Sequence, residues 1–125
     1  MEAMLKTFGL LSDETRIRIL KVVCATECCV CEVMKALDIT QSTASRGLTA
    51  LYDAGFLNLR KEGLWSLYSI KKENIPPYRS QLVDIITREL KDNQVIVQDR
   101  ERLKEAKRTS PRHIQSRCKC QMKEK

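Results

Sequence analysis

A chain of 125 residues, 42% hydrophobic and 31% charged, has room for one domain of roughly 100 residues and a tail. The net charge of +7 is not spread along it: residues 1–99 carry 13 basic and 13 acidic side chains, and the whole excess falls in residues 100–125, so a high pI here is weak evidence for a basic face on the core. No stretch approaches the roughly 20 apolar residues of a membrane helix, and Met1-Glu2-Ala3-Met4-Leu5-Lys6 lacks the pattern of a signal peptide, so a cytoplasmic protein with reduced thiols is expected.

Met4, Leu5, Phe8 and Leu11 recur at helical spacing and predict a short helix over 2–11. Ser12, followed by Asp13 and Glu14, reads as the N-cap of a second helix to about Ala25, with Ile17, Leu20 and Cys24 on its inner face. The pattern breaks over Thr26–Cys31 and resumes in a third helix, Val30 to Leu37. Asp38-Ile39-Thr40 forms a tight turn, and Thr40 caps a fourth helix, Gln41 to Ala54, that buries Ala44, Leu48 and Leu51. Gly55 stands where a helix ends.

Phe56, Leu57 and Leu59 open a hairpin that turns at Glu62-Gly63 and returns through Leu64–Ile70. Pro76-Pro77 suit the first turn of a long helix bearing Leu82, Val83, Ile85, Ile86 and Leu90 and persisting to about Ala106. The expected organisation is a winged helix-turn-helix domain with dimerisation helices over 1–92, a helix extension over 93–106, and a basic, disordered tail over 107–125. The fold class is mainly α with a small β-hairpin, a homodimer through its terminal helices.

Two helices joined by a short turn, with the second polar outside and a basic hairpin behind it, form the layout of a DNA reader. Gln41, Ser42, Thr43, Ser45, Arg46 and Thr49 make up the polar face offered to a major groove, while Arg60 and Lys61 near the hairpin tip reach phosphates. A two-fold dimer presents two such helices to a palindromic operator in double-stranded DNA.

Cys28, Cys29 and Cys31 put three thiols within four residues. Thiolates prefer soft ions, and trivalent arsenic takes three of them, whereas structural zinc takes four ligands. At about 100° per residue, Cys29 and Cys31 would lie about 200° apart on a regular helix and could not share an ion. Chelation by that pair requires the start of the third helix to be extended or to unwind. Cys24 sits on an apolar stripe and reads as core; Cys118 and Cys120 read as idle tail thiols or a lid; His113, the only histidine, reads as surface.

Four stretches then resemble the ArsR/SmtB family of metalloregulatory repressors, its arsenic-sensing branch above all: Leu11–Leu20 as the opening of helix two, Glu27–Val33 as the sensing box, Gln41–Leu48 as the recognition helix, and Glu62–Tyr68 as the wing. The resemblance implies a homodimeric repressor that leaves its operator on binding As(III) or Sb(III), with Cys29 and Cys31 matching the two core thiols. Three departures stand out. Met34 replaces the usual third box cysteine, leaving Cys28, Cys24, Cys118 or Cys120 for that place; Gly47 replaces a common histidine; and the histidines of a last-helix zinc site are missing. The same fold sensing Cd(II) or Pb(II), or thiol oxidation, is the alternative. An enzyme is not expected: there is no acid/base pair or phosphate loop, and a Cys-x-x-Cys oxidoreductase would need a βαβ surrounding.

Overall fold

In the computed structural model, which describes residues 1–110, the chain runs α1 (Glu2–Leu10), α2 (Glu14–Ala25), β1 (Cys28–Cys29), α3 (Val30–Leu37), α4 (Gln41–Asp53), β2 (Leu57–Glu62), β3 (Trp65–Ile70), α5 (Pro77–Glu89) and α6 (Gln94–Thr109). The apolar stripes of the sequence become one core. Ile19, Leu20 and Val23 of α2 meet Val33 and Leu37 of α3, Ala44, Leu48 and Leu51 of α4, and Phe56 and Leu57 at the start of the hairpin.

The helix ends follow local chemistry. The α2 cap is Asp13, whose carboxylate accepts from Arg16 N at 3.0 Å; Ser12, expected in that role, instead donates to Phe8 O at the end of α1. Thr40 caps α4 as expected, accepting from Thr43 N. At the far end of α4, Phe56 N bonds Leu51 O and Gly55 N bonds Tyr52 O, the paired closure that needs a left-handed residue, and Gly55 supplies it at φ +88°. The hairpin turns one residue later than expected: Glu62 pairs with Trp65, so Gly63-Leu64 is the loop, with Gly63 at φ +61°.

Two features depart further from the sequence reading. First, the sheet has three strands in the order β1-β3-β2, because Cys28 and Cys29 pair antiparallel with Tyr68 and Leu67. Second, the long C-terminal helix is two helices. The chain leaves α5 at Leu90, and Asn93 starts α6 by accepting from Val95 N and Ile96 N. The break sends α6 back across the molecule. Ile96, Asp99, Leu103 and Ala106 form its buried stripe, which lies along α3 and α2. Lys107 belongs to this helix rather than to a tail, and His113, Cys118 and Cys120 lie outside the described residues.

The helices α1 and α5 are different. None of the α5 side chains is buried, and Met4, Leu5, Phe8 and Ile85 are exposed apolar residues. Thr7 Oγ and Tyr78 Oη lie 3.4 Å apart, which sets the two helices side by side. Among the described residues no helix is long and apolar enough to cross a membrane.

Candidate DNA-reading and thiol-sensing site

The outer face of α4 is built as the polar pattern suggests. Ala44, Gly47, Leu48 and Leu51 turn inward, Ser42, Arg46 and Thr49 are exposed, and Gln41, Thr43 and Ser45 are half-buried. Arg46 Nη1 lies 3.4 Å from Ser42 Oγ, one turn back along the same face. Gly47 is not a surface substitution for a histidine. It is buried, and a Cβ there would stand 2.3 Å from Ile19 Cδ1. The glycine lets α4 approach α2 closely.

The wing is tied more tightly than its sequence suggests. Lys61 Nζ donates to Ser66 Oγ at 2.7 Å and stays exposed. Arg60 forks onto Glu27 with two 2.8 Å bonds and reaches Glu62 as well, and these carboxylates push its guanidinium pKa up. It spans the central strand to grip the segment that leads into the cysteines.

That segment does two structural jobs at once. Cys28 and Cys29 are an edge strand of the wing sheet, and Cys29, extended at φ −90° and ψ 169°, is the N-cap of α3. Its N–H donates to Glu32 Oε1 at 3.0 Å, the reciprocal bond of a capping box. Cys28 and Cys29 are fully buried, and Cys28 Sγ donates to Thr26 O. Cys31 sits within the first turn of α3 and is half-buried. So Cys29 lies outside the regular helix and Cys31 inside it. Among the described residues, no group of three or more His, Cys, Asp or Glu side chains is arranged to hold a metal ion. Cys24, on α2, is packed against the core and lines a separate cavity of about 310 Å³ with Ile70, Lys72 and Val83. Burial pushes its thiol pKa up.

Two buried carboxylates, Asp99 and Glu32, have ion-pair partners that the sequence did not disclose. Asp99 of α6 receives Arg18 Nε at 2.9 Å, Arg18 Nη2 at 2.8 Å and Arg102 Nη2 at 2.8 Å. The same arginines donate to Leu37 O and Ala36 O at the end of α3. At the other end of α3, Lys107 Nζ lies 3.0 Å from Glu32 Oε1 and also donates to Glu27 O. The bonds that tie α6 to α2, α3 and Glu27 join residues 66 to 81 positions apart, and only the interruption of an apolar stripe by Asp99 could have flagged one of them.

A helix-turn-helix followed by a two-stranded wing, with its polar helix face outward, defines a winged-helix DNA-binding protein. Residues 13–58 match the bacterial regulatory protein, arsR family. The arsenical resistance operon repressor of Escherichia coli is 36% identical over 81 residues, 64% of this chain and 68% of that protein. A cadmium resistance transcriptional regulatory protein CadC homolog of Staphylococcus aureus is 38% identical over 71 residues, 56% of this chain and 59% of its own. Among solved structures, reduced HlyU from Vibrio cholerae superposes with a TM-score of 0.61 at 23% identity, covering 70% of this chain and 88% of that one. A homodimeric winged helix-turn-helix DNA-binding domain from Mycobacterium bovis does so with a TM-score of 0.61 at 22% identity, covering 74% and 82%. The chain belongs to the arsR family of bacterial regulatory proteins; it is a DNA-binding regulator and not an enzyme.

Proposed function

We propose that this protein is a cytoplasmic, homodimeric repressor that holds a palindromic operator and releases it when As(III) or Sb(III) engages Cys29 and Cys31, with Cys28 as the third thiolate. The observation that carries the reading is the double role of the cysteine segment. It pairs with the wing strand β3 and it caps α3, which packs against the recognition helix α4. Whatever moves it shifts both parts of the DNA reader.

The thiols supply the soft donors such an inducer takes, and Cys29 already stands outside the helix. They do not form a ready-made three-thiol cup, so gathering them costs the Cys29–Glu32 cap bond and the pairing with β3. That rearrangement links the two sites: a ligand that binds only the rearranged segment and DNA that binds only the strand-and-cap form weaken each other by the same free energy, typically about 1–3 kcal/mol.

On α4, Gln41, Ser42, Thr43, Ser45, Arg46 and Thr49 face the groove, and Lys61 reaches a phosphate. Arg60 does so at the expense of its grip on Glu27. The apolar faces of α1 and α5 are the surface a second copy covers. Names among the relatives favour arsenic, while the cadmium-resistance relative keeps Cd(II) or Pb(II) as the second reading.

The test is a palindromic operator fragment saturated with protein and challenged separately with arsenite, antimonite, cadmium, lead and peroxide. Release by either metalloid, abolished in Cys29→Ser and in Cys31→Ser, supports the proposal. Release by cadmium, lead or peroxide alone replaces it with the second reading. Operator affinity unchanged in Arg46→Ala would misplace the recognition helix.

A further inference from the structure

The ammonium of Lys107 touches both ends of the cysteine segment. It donates to the carbonyl of Glu27, the residue before Cys28, and to the carboxylate of Glu32, the residue after Cys31. It comes from α6, and the Glu32 carboxylate it meets is 1% exposed. The same carboxylate oxygen accepts from Cys29 N. One cation therefore holds the bond that fixes Cys29 at the cap.

We propose that Lys107 is a positioning residue of the sensor: a latch on α6 that keeps Cys28–Cys31 in its strand-and-cap form and so sets how much ligand is needed to rearrange it. The inference rests on the thiol-sensing reading for its regulatory meaning, but the latch itself concerns only the free protein.

The Glu32 carboxyl group is 1% exposed, a place where it needs a partner, and the cation that meets it is on another helix. Lys107 is anchored from behind, because Ala106 and Leu103 of the same helix are buried and Asp99 is clamped by Arg18 and Arg102. The bonds lie at the two ends of a segment whose opening must break both. Charge-assisted bonds in a partly buried site hold better than a neutral bond on the surface. Opening this segment while α6 stays docked is then the rare event, and opening it after the latch is lost is the common one.

Peptide-resolved alkylation of the full chain tests this without any metalloid. In Lys107→Met, Cys28, Cys29 and Cys31 should react with N-ethylmaleimide about tenfold to a hundredfold faster than in the wild type, while Cys24 on α2 keeps its rate. Lys107→Arg, which keeps the cation, should restore slow labelling. Should Lys107→Met fold poorly, Lys107→Met combined with Glu32→Gln removes both charges, keeps a cap acceptor for Cys29 N, and should still label fast. Unchanged labelling at 28–31 in a folded variant overturns the latch, as does equal acceleration at Cys24, which reports global loosening. A second arm titrates operator complexes with arsenite. The latch predicts release at about a tenfold lower concentration in Lys107→Met. If arsenite releases neither protein while labelling is accelerated, the latch stands and the metalloid reading fails.

Discussion

Replacing Asp99 by Asn tests whether α6 is held by charge. The carboxylate is 1% exposed and receives three bonds of 2.8 to 2.9 Å from two guanidinium groups. Arg18 is mostly covered, its side chain 15% exposed, so its two bonds carry most of the energy; Arg102, at 39%, is discounted toward the surface value. Asn keeps one acceptor oxygen but turns an N–H₂ toward guanidinium donors, leaving Arg18 without its counter-charge. Breaking a buried pair from one side costs about 3–5 kcal/mol, and the partial exposure of the arginines brings the expected loss to about 3 kcal/mol. Urea denaturation at fixed protein concentration reads it as a fall in midpoint with an unchanged slope. Arg18→Met together with Asp99→Leu should recover about half of the loss, because an apolar pair of similar volume needs no counter-charge. A loss below about 1 kcal/mol in Asp99→Asn would refute the argument that this pair secures α6.

The other predictions concern single contacts. Gly47→Ala and Ile19→Val should be non-additive, the double variant losing about 1 kcal/mol less stability than the two single losses summed, since removing Ile19 Cδ1 clears the atom the new Cβ strikes; additivity within about 0.3 kcal/mol would deny the close approach. Gly63→Ala should cost about 1–2 kcal/mol by backbone strain alone, because nothing lies within 4 Å of its Cβ position, and Gly63→Asn should cost less; equal midpoints for the two would contradict the left-handed turn. Cys24 should alkylate with a pH profile displaced above that of a free thiol near about 8.5, since burial favours the protonated form. By the same sign the folded state keeps this proton longer than the unfolded chain. The Cys24 contribution is therefore whole below the ordinary thiol pKa and shrinks as pH rises through it, and a wild-type stability profile matching Cys24→Ala across that range would contradict it.

Periodicity carried the reading furthest where one face alone is buried. The limits of α3 and the inward face of α4 follow from apolar spacing bracketed by a turn and a cap, and Thr40 and Gly55 behave as their chemistry requires. The strand β1 was illegible because two residues have no period, and their pairing partners lie about forty positions away in the wing. The division of the C-terminal helix was legible in principle: Asn93 is a good cap, but the charges around it resemble a solvated helix face. The reach of Arg60 and Lys107 was not legible, because which acid a long basic side chain meets depends on how the helices return. For the same reason the thiol cluster was visible as chemistry, and its role as strand and cap was not.

The return of α6 bears on how the protein is made. Its contacts join residues 18, 32 and 36 to residues 99, 107 and 102, so none can form until nearly the whole described chain has left the ribosome. The recognition helix and wing are complete by residue 70. The newborn polypeptide thus passes through an interval in which the helix-turn-helix, the wing and the cysteine segment have all been synthesised, while the contacts that α6 makes with Glu27, Glu32 and Arg18 have yet to form.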